Sequence, residues 1–504
     1  MKSQLKTGAL ISYFNMALNM LISIFLTPFL ISSLGDSEYG VYKVMQSFAG
    51  QLSILSFGVS ALVVRNIVYY NTRKEQREKE NFMFIALFIT YILATLILLV
   101  GVGMFFMVEP ILGNSLSYEE VSLAKQLLIL LVVNVSVSVV ADSYNGIILA
   151  YERFGIKNGM QTLRLVLRVV FLIFLLKCGV KAIGVAVVDL SLSVFTLLFA
   201  IIYNKIKLKE KAKFYYWDFG MLKTCISFSL SIFLQAIVNQ VNQNVDSIIL
   251  GAMTGASTVT LYSLALTLYT SFNSIVSVIS DMVGPKATRL VANGNDGEEL
   301  TDFVIVHGRL QFMIAGLVIT GFVLFGKNFL EIWMGNKYLD AYKITLILII
   351  PVVIPLIQGA TTAILNAMLK MSVRSMILFF MCIINVLVSI IMVKFWGYIG
   401  AAYGTALSLI IGHGILLNVY LSRKIHLNIK KMFKGIFRGV FFAILFSLLI
   451  GLPLIFIPNT LGGFLIKVCV YSIIYVIVLY FVGMNNAEKI YVRQFFDFLK
   501  KKQK

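Results

Sequence analysis

Residues 219–253 read FGMLKTCISFSLSIFLQAIVNQVNQNVDSIILGAM. The stretch is long enough to cross a bilayer, which takes about 20 residues of helix. Its middle carries six amides, Gln235, Asn239, Gln240, Asn242, Gln243 and Asn244, and then Asp246. Gln235, Asn239, Gln243 and Asp246 fall at helical spacing and share one face. A polar stripe on a membrane helix faces other helices or a watery cavity, not lipid. Hydrogen bonding between helices is the plain structural reading. So many amides beside a carboxylate exceed what helix association needs.

The rest of the chain is of the same class. Of its 504 residues, 59% are hydrophobic and 13% are charged, and the mean hydropathy is +0.90. Soluble domains average about 45–50% apolar and about 25% charged. The composition therefore indicates an all-α polytopic membrane protein. The first apolar run, about residues 8–31, is too long for a signal-peptide core and no small-residue cleavage site follows it, so it is expected to be the first span. About 14 transmembrane helices are expected, near 8–32, 42–66, 82–107, 123–150, 159–177, 182–203, 219–250, 258–283, 303–326, 342–368, 373–394, 398–421, 437–457 and 462–483. Their length and continuity do not suit barrel strands.

Lysine and arginine in the loops set the orientation. With the N-terminus inside, about 29 basic residues fall on the cytoplasmic side and about 5 on the other. Both termini are then cytoplasmic. The net charge of +20 becomes a membrane-facing rim for anionic lipid, not a nucleic-acid surface. Two segments, HLNIKKMFKGIFRG (426–439) and AEKIYVRQFFDFLKKKQK (487–504), read as helices lying at the interface. The four cysteines are scattered singly and the three histidines do not cluster, so neither a disulfide framework nor a metal or other cofactor is expected. His413, between two glycines in an apolar span, reads as a packing or hydrogen-bonding residue.

An internal repeat appears at an offset of 216–217 residues. LKT at 5–7 recurs at 222–224, IILAYERFGIKNGM (147–160) matches AILNAMLKMSVRSM (363–376), and GVKAIGVA (179–186) matches WGYIGAAY (396–403). Each copy holds six spans, so both insert the same way up and are expected to be related by a pseudo-twofold axis along the membrane normal. The expected organisation is an N-terminal six-helix lobe (1–204), a basic cytoplasmic linker (205–218), a C-terminal six-helix lobe (219–422), and two additional helices with a basic tail (423–504). Residues 219–253 then open the second lobe and face span 1 across the presumed pathway. Span 1 carries the weaker counterpart of their stripe, Ser12, Asn15, Asn19 and Ser23.

Lys157, Gln161, Arg164 and Arg168 share one face of span 5. Arg168 lies about 13 Å inside the cytoplasmic end at 1.5 Å per residue. A central Arg costs about 2.5–3.5 kcal/mol even on insertion scales, so it needs a carboxylate or a wet cavity, and Asp142 lies at comparable depth. A structural salt bridge and a substrate role stay equally open there. Arg65 and Arg309 lie near the cytoplasmic ends of spans 2 and 9, where they either snorkel or meet an anion. Asp246 falls toward the outer end. Pro28, Pro351 and Pro355 are expected to kink their spans. No nucleotide motif occurs, and no outer loop offers a catalytic constellation, so neither ATP drive in cis nor an enzyme is expected.

LGDSEYGVY (34–42) followed by FGVSALVVR (57–65) resembles the LG-x-x-x-[YF]-G and "G…R" signatures of Wzx-like polysaccharide/oligosaccharide-lipid flippases of the multidrug/oligosaccharidyl-lipid/polysaccharide (MOP) exporter superfamily. AYERF (150–154), FSLSIF (228–233), the D-x-x-I-L-G run at 246–251, LYSLA (261–265), IWMGNKY (332–338) and YIGAAYGTA (398–406) are similar to the same family. The resemblance spans about residues 1–425. It implies two six-helix lobes with spans 1, 2, 7 and 8 lining a cavity. It implies flipping of an undecaprenyl-pyrophosphate-linked glycan to the outer leaflet of the bacterial plasma membrane, for surface polysaccharide such as O-antigen or capsule. The partners it implies are that polyprenyl-linked glycan, membrane lipids, and the polysaccharide polymerase and chain-length machinery. Spans 13 and 14 resemble the fourteen-span branch, which includes lipid-linked peptidoglycan precursor flippases and in which they can form a groove for the lipid tail. Span 1 holds few basic residues, unlike those flippases.

On this reading Arg65, Arg164, Arg168 and Arg309 attract the pyrophosphate, while Asn15, Asn19, Gln235, Asn239 and Gln243 bond sugar hydroxyls. An inside-negative potential favours outward movement of an anion by about 2.3 kcal/mol per charge per 100 mV. Asp246 is the candidate for coupling to Na⁺ or a proton. The rivals are a lipid II-type precursor flippase, a cation-coupled multidrug exporter with a more acidic cavity, a glycan polymerase or ligase, and a structural scaffold.

Overall fold

The computed structural model describes residues 2–56, 58–217, 237–238, 240–241, 244–281, 283–294, 297–368 and 370–490. Every regular element among them is helical. In chain order they are α1 (Lys2–Leu52), α2 (Val59–Arg73), α3 (Gln76–Leu112), α4 (Tyr118–Ala150), α5 (Phe154–Lys177) and α6 (Ala182–Tyr203). A short apolar helix α7 (Asn244–Met253) follows. The chain continues through α8 (Ala256–Asp281), α9 (Gly284–Ala292), α10 (Gly297–Met334), α11 (Ala341–Ile357), α12 (Gly359–Ala367) and α13 (Met371–Trp396). It ends with α14 (Tyr398–Leu409), α15 (Leu417–Ile425), α16 (Ile429–Phe437), α17 (Val440–Gly451) and α18 (Leu461–Val478).

Twelve stretches among the described residues are long and apolar enough to cross a membrane. The first, Phe14–Arg73, contains the second expected span and most of the first. Within it α1 is kinked at Gly35, whose φ of 77° and ψ of 166° leave the helical region. A side chain resists such a φ, and glycine does not. Gly40 has a different reason to lack a side chain. A Cβ there would stand 2.0 Å from the carbonyl oxygen of Ala256, so α1 and the start of α8 meet backbone to backbone. The two glycines of LGDSEYG thus turn the chain and permit a close approach. Most of the expected seventh span, 219–250, lies outside the described residues.

Contacts divide the chain into two compact units, Met1–Leu264 with Val386–Ala401, and Ala265–Asn385 with Ala402–Lys504. In the first unit, Val63, Ile67, Phe82, Met83 and Ile147 pack α2, α3 and α4 into one buried cluster. Polar contacts fasten the helix ends. Ser117 and Glu120 form a capping box at the start of α4, Glu120 also accepts from Ser37, and Glu38 pairs with Lys181 at 2.8 Å. Glu38 holds the exposed Lys181 ammonium above its usual pKa.

In the second unit, Met313, Leu324 and Phe325 of α10 pack against Val440 and Ala443 of α17 and Tyr471 and Tyr475 of α18. The last two spans therefore share a core with α10. The expected tenth span is two helices: α11 carries Pro351 and Pro355 inside it, and the break falls at Gln358. Gln358 is buried, and its Nε2 donates to Asn418 Oδ1 at 2.9 Å. The side chain thus anchors the joint where the helical ladder stops. The first expected interfacial segment is α16, with Met432 and Ile436 buried on one face. Lys431 pairs with Glu298 at 3.0 Å and Asp302 at 2.8 Å.

Candidate functional site

Span 5 delivers its arginines as a ladder against α6. Arg168 and Arg164 are one turn apart on α5, and Asp189 and Ser193 are one turn apart on α6, so two parallel rungs form. Arg168 Nε donates to Asp189 Oδ1 at 2.5 Å and Nη2 donates to Oδ2 at 3.0 Å, a two-pronged ion pair. The Tyr42 hydroxyl donates to the same Oδ2 at 3.1 Å. Arg164 Nη2 donates to Ser193 Oγ at 2.9 Å, and Ser138 Oγ donates to that oxygen at 3.3 Å.

The sequence offers Asp142, at comparable depth, as one carboxylate for Arg168. The structure gives that place to Asp189, on the following helix, while Asp142 is exposed. Sequence reasoning passed over Asp189 and Tyr42. A lone Asp inside VAVVDLSLSV was the available signal, because an intramembrane carboxylate is rare without a partner.

In the second unit, at the repeat offset, Asn385 and Thr405 occupy the equivalent places, and Thr405 Oγ1 donates to Asn385 Oδ1 at 3.3 Å. One copy of the repeat thus holds an ion pair where the other holds a neutral pair.

Asn15 is buried and spent on packing. Its Nδ2 donates to the Asn158 carbonyl at 2.9 Å, and its Oδ1 accepts from Thr162, so it joins α1 to α5. Asn19 is exposed on α1 and Arg65 is exposed on α2. Gln235, Asn239 and Gln243 lie outside the described residues. From the same stretch, Gln240 Nε2 donates to the Gly50 carbonyl and, at 2.7 Å, to Ser53 Oγ. Asp246 is buried, accepting from the Tyr262 hydroxyl at 2.6 Å and from Ser389 Oγ at 3.4 Å.

Arg309 is not available to an anion. Its Nε and Nη2 donate to Glu488 at 2.7 and 3.0 Å. Its Nη1 donates to the carbonyls of Gly435 at 2.8 Å and Arg438 at 2.7 Å, and Nη2 also donates to the Gly483 carbonyl at 2.9 Å. All five guanidinium donors are taken. The side chain therefore ties α10 to the ends of α16 and of the last span. The sequence placed Arg309 in the anion site because depth alone does not reveal a carbonyl collar.

The second unit also holds an apolar groove of about 930 Å³, lined by α10, α11, α16 and α17. Phe312, Ile319, Ile354, Phe437 and Phe441 are among its walls, and Lys434 and Arg438 also line it. Both cations are exposed, and neither forms a side-chain ion pair among the described residues. His413, on a neighbouring helical turn, is buried, and its Nδ1 has no partner among the described residues.

A family model described as "Polysaccharide biosynthesis protein" matches residues 5–285. An "Uncharacterized membrane protein EpsK" of Bacillus subtilis (strain 168) is 21% identical over 418 residues, covering 81% of each chain. Among solved structures, "Lipid II flippase MurJ, inward closed conformation" superposes with a TM-score of 0.71 at 16% identity, covering 94% of this chain and 97% of that one. An inward-facing multidrug resistance MATE family transporter of the MOP superfamily gives 0.62 at 16% identity, covering 80% and 92%. These likenesses show a shared fold.

Proposed function

The chain belongs to the polysaccharide biosynthesis protein family, and on that premise we propose that it flips an undecaprenyl-pyrophosphate-linked oligosaccharide from the cytoplasmic to the outer leaflet of a bacterial plasma membrane. One observation carries the reading: an apolar groove whose lining residues include Lys434 and Arg438, two cations with no side-chain ion pair among the described residues. A polyprenyl pyrophosphate has the complementary shape, a long hydrocarbon joined to a compact anion. Its tail lies along Phe312, Ile354 and Phe441, and its phosphates meet the cations.

Within the first unit, Arg164 is a separate anion contact. It donates to the neutral Ser193 hydroxyl and forms no direct ion pair among the described residues, whereas Arg168 is paired with Asp189. The six-span repeats act as the moving lobes, both termini lie in the cytoplasm, and the membrane potential favours outward movement of the anion. Asp246, hydrogen-bonded to Tyr262, is the group that an ion or proton would meet.

Deletion of the gene, followed by mass spectrometry of polyprenyl-linked lipids, tests this. A pyrophosphate-linked oligosaccharide repeat unit is expected to accumulate, and an unchanged lipid profile rejects the proposal. A second reading, a peptidoglycan precursor flippase, draws on the lipid II flippase structure, whose match covers 94% of this chain. It requires lipid II itself to accumulate.

A further inference from the structure

Beyond α6 the chain turns through Asn204–Leu208 and then runs irregularly to Trp217. This strap is fastened to the first unit. Asn81 Oδ1 accepts from the Tyr215 and Tyr216 amides at 2.9 and 3.2 Å, while its Nδ2 donates to the Tyr216 carbonyl at 2.9 Å. Buried Lys79 donates to Glu210 Oε1 at 2.9 Å and to the Tyr151 hydroxyl at 3.0 Å. The strap's own carboxylate is therefore neutralised from within the helices.

Between strap and helices lies a cavity of about 690 Å³. Met83, Leu87 and Ile201 give it hydrocarbon walls, and Lys205, Lys209 and Lys211 give it charge. These lysines are exposed and form no ion pair among the described residues. Two acceptor oxygens in its lining residues, Asn204 Oδ1 and Glu210 Oε2, are buried without a donor among the described residues. Phe214, Tyr216 and Trp217 are exposed on the same strap, and Trp217 meets Phe88 edge-on at 5.8 Å. Exposed aromatic residues of this kind mark the head-group level of a bilayer.

We propose that this cavity binds an anionic glycerophospholipid, with its phosphate on Lys205, Lys209 and Lys211 and an acyl chain against Met83, Leu87 and Ile201. A free phosphate would leave the apolar walls uncovered, and a zwitterionic lipid would bring its own cation against the lysines. Hydroxyls of a glycerol head group supply donors of the kind that Asn204 and Glu210 lack. The site lies wholly within the first unit, apart from the groove assigned to the substrate tail.

The test uses the full chain in detergent, titrated with phosphatidylglycerol and followed by native mass spectrometry. At about 1 kcal/mol per surface lysine, the triple variant K205Q/K209Q/K211Q is expected to bind on the order of 100-fold more weakly. Each single variant is expected to lose roughly fivefold, which keeps the test valid should the triple variant fail to fold. The corresponding triple arginine variant retains binding, and phosphatidylcholine binds no better to the wild type than to the glutamine variants. Equal phosphatidylglycerol affinity of wild type and glutamine variants overturns the proposal. Displacement by millimolar inorganic phosphate overturns it in favour of a free-anion site, and preferential displacement by undecaprenyl phosphate overturns it in favour of a substrate site.

Discussion

Arg164 and Arg168 sit one turn apart on α5, yet among the described residues Arg168 forms an ion pair and Arg164 does not. Removing one partner of a buried, hydrogen-bonded pair costs about 3–5 kcal/mol. Arg168→Ala is therefore expected to lower unfolding stability by about that much, read as a fall in melting temperature in detergent. Asp189→Ala should do the same. Arg164→Ala is expected to leave the melting temperature within a few degrees and to reduce surface polysaccharide at least about tenfold, the equivalent of 1.4 kcal/mol at one contact. A loss of transport without destabilisation in the Arg168 variant would reverse these assignments. The sequence located both arginines through their spacing. It could not say which was neutralised, because that depends on the rotation of α6 against α5, and no residue of α5 records it.

At the scale of elements, the close approach of α1 to α8 rests on one hydrogen atom. A side chain at Gly40 must push aside the Ala256 carbonyl rather than a flexible side chain. Gly40→Val is expected to cost about 1–3 kcal/mol or more through overpacking, measured as lost thermal stability, whereas the same change at exposed Gly103, with open space around it, costs far less. The groove along α10, α11, α16 and α17 responds differently. Ile354→Trp fills part of its volume, so complementation of the deletion strain is expected to fall severalfold while the purified protein keeps its melting temperature. Helix existence was legible because runs of about 20 apolar residues have one solution in a bilayer. Helix ends were less so. The expected loop between the first two spans is reduced to a kink at Gly35, where a single glycine suffices for the break. The break after α11 falls at Gln358 rather than at either proline.

For the molecule as a whole, the orientation can be read from a native residue. Cys178 is an exposed thiol at the end of α5, in a loop the charge distribution places outside. A variant keeping Cys178 as its sole cysteine is expected to react with an impermeant maleimide on intact cells. Labelling only after lysis would invert the topology and with it the direction of transport. The all-helical, multi-span class was visible in composition and pattern. The union of the last two spans with α10 was not, because it rests on contacts between residues far apart in the chain, among them Arg309 meeting Glu488, 179 residues later. That distance has a consequence for biosynthesis. As the protein is made, α10 enters the membrane long before the residue that balances its arginine leaves the ribosome. Until then a guanidinium stands without its counter-ion, exposed to the surveillance that removes unfinished membrane proteins. A premature stop between the end of the last span at Gly483 and Glu488 would leave every proposed transport element in place and still be expected to yield a chain the cell degrades.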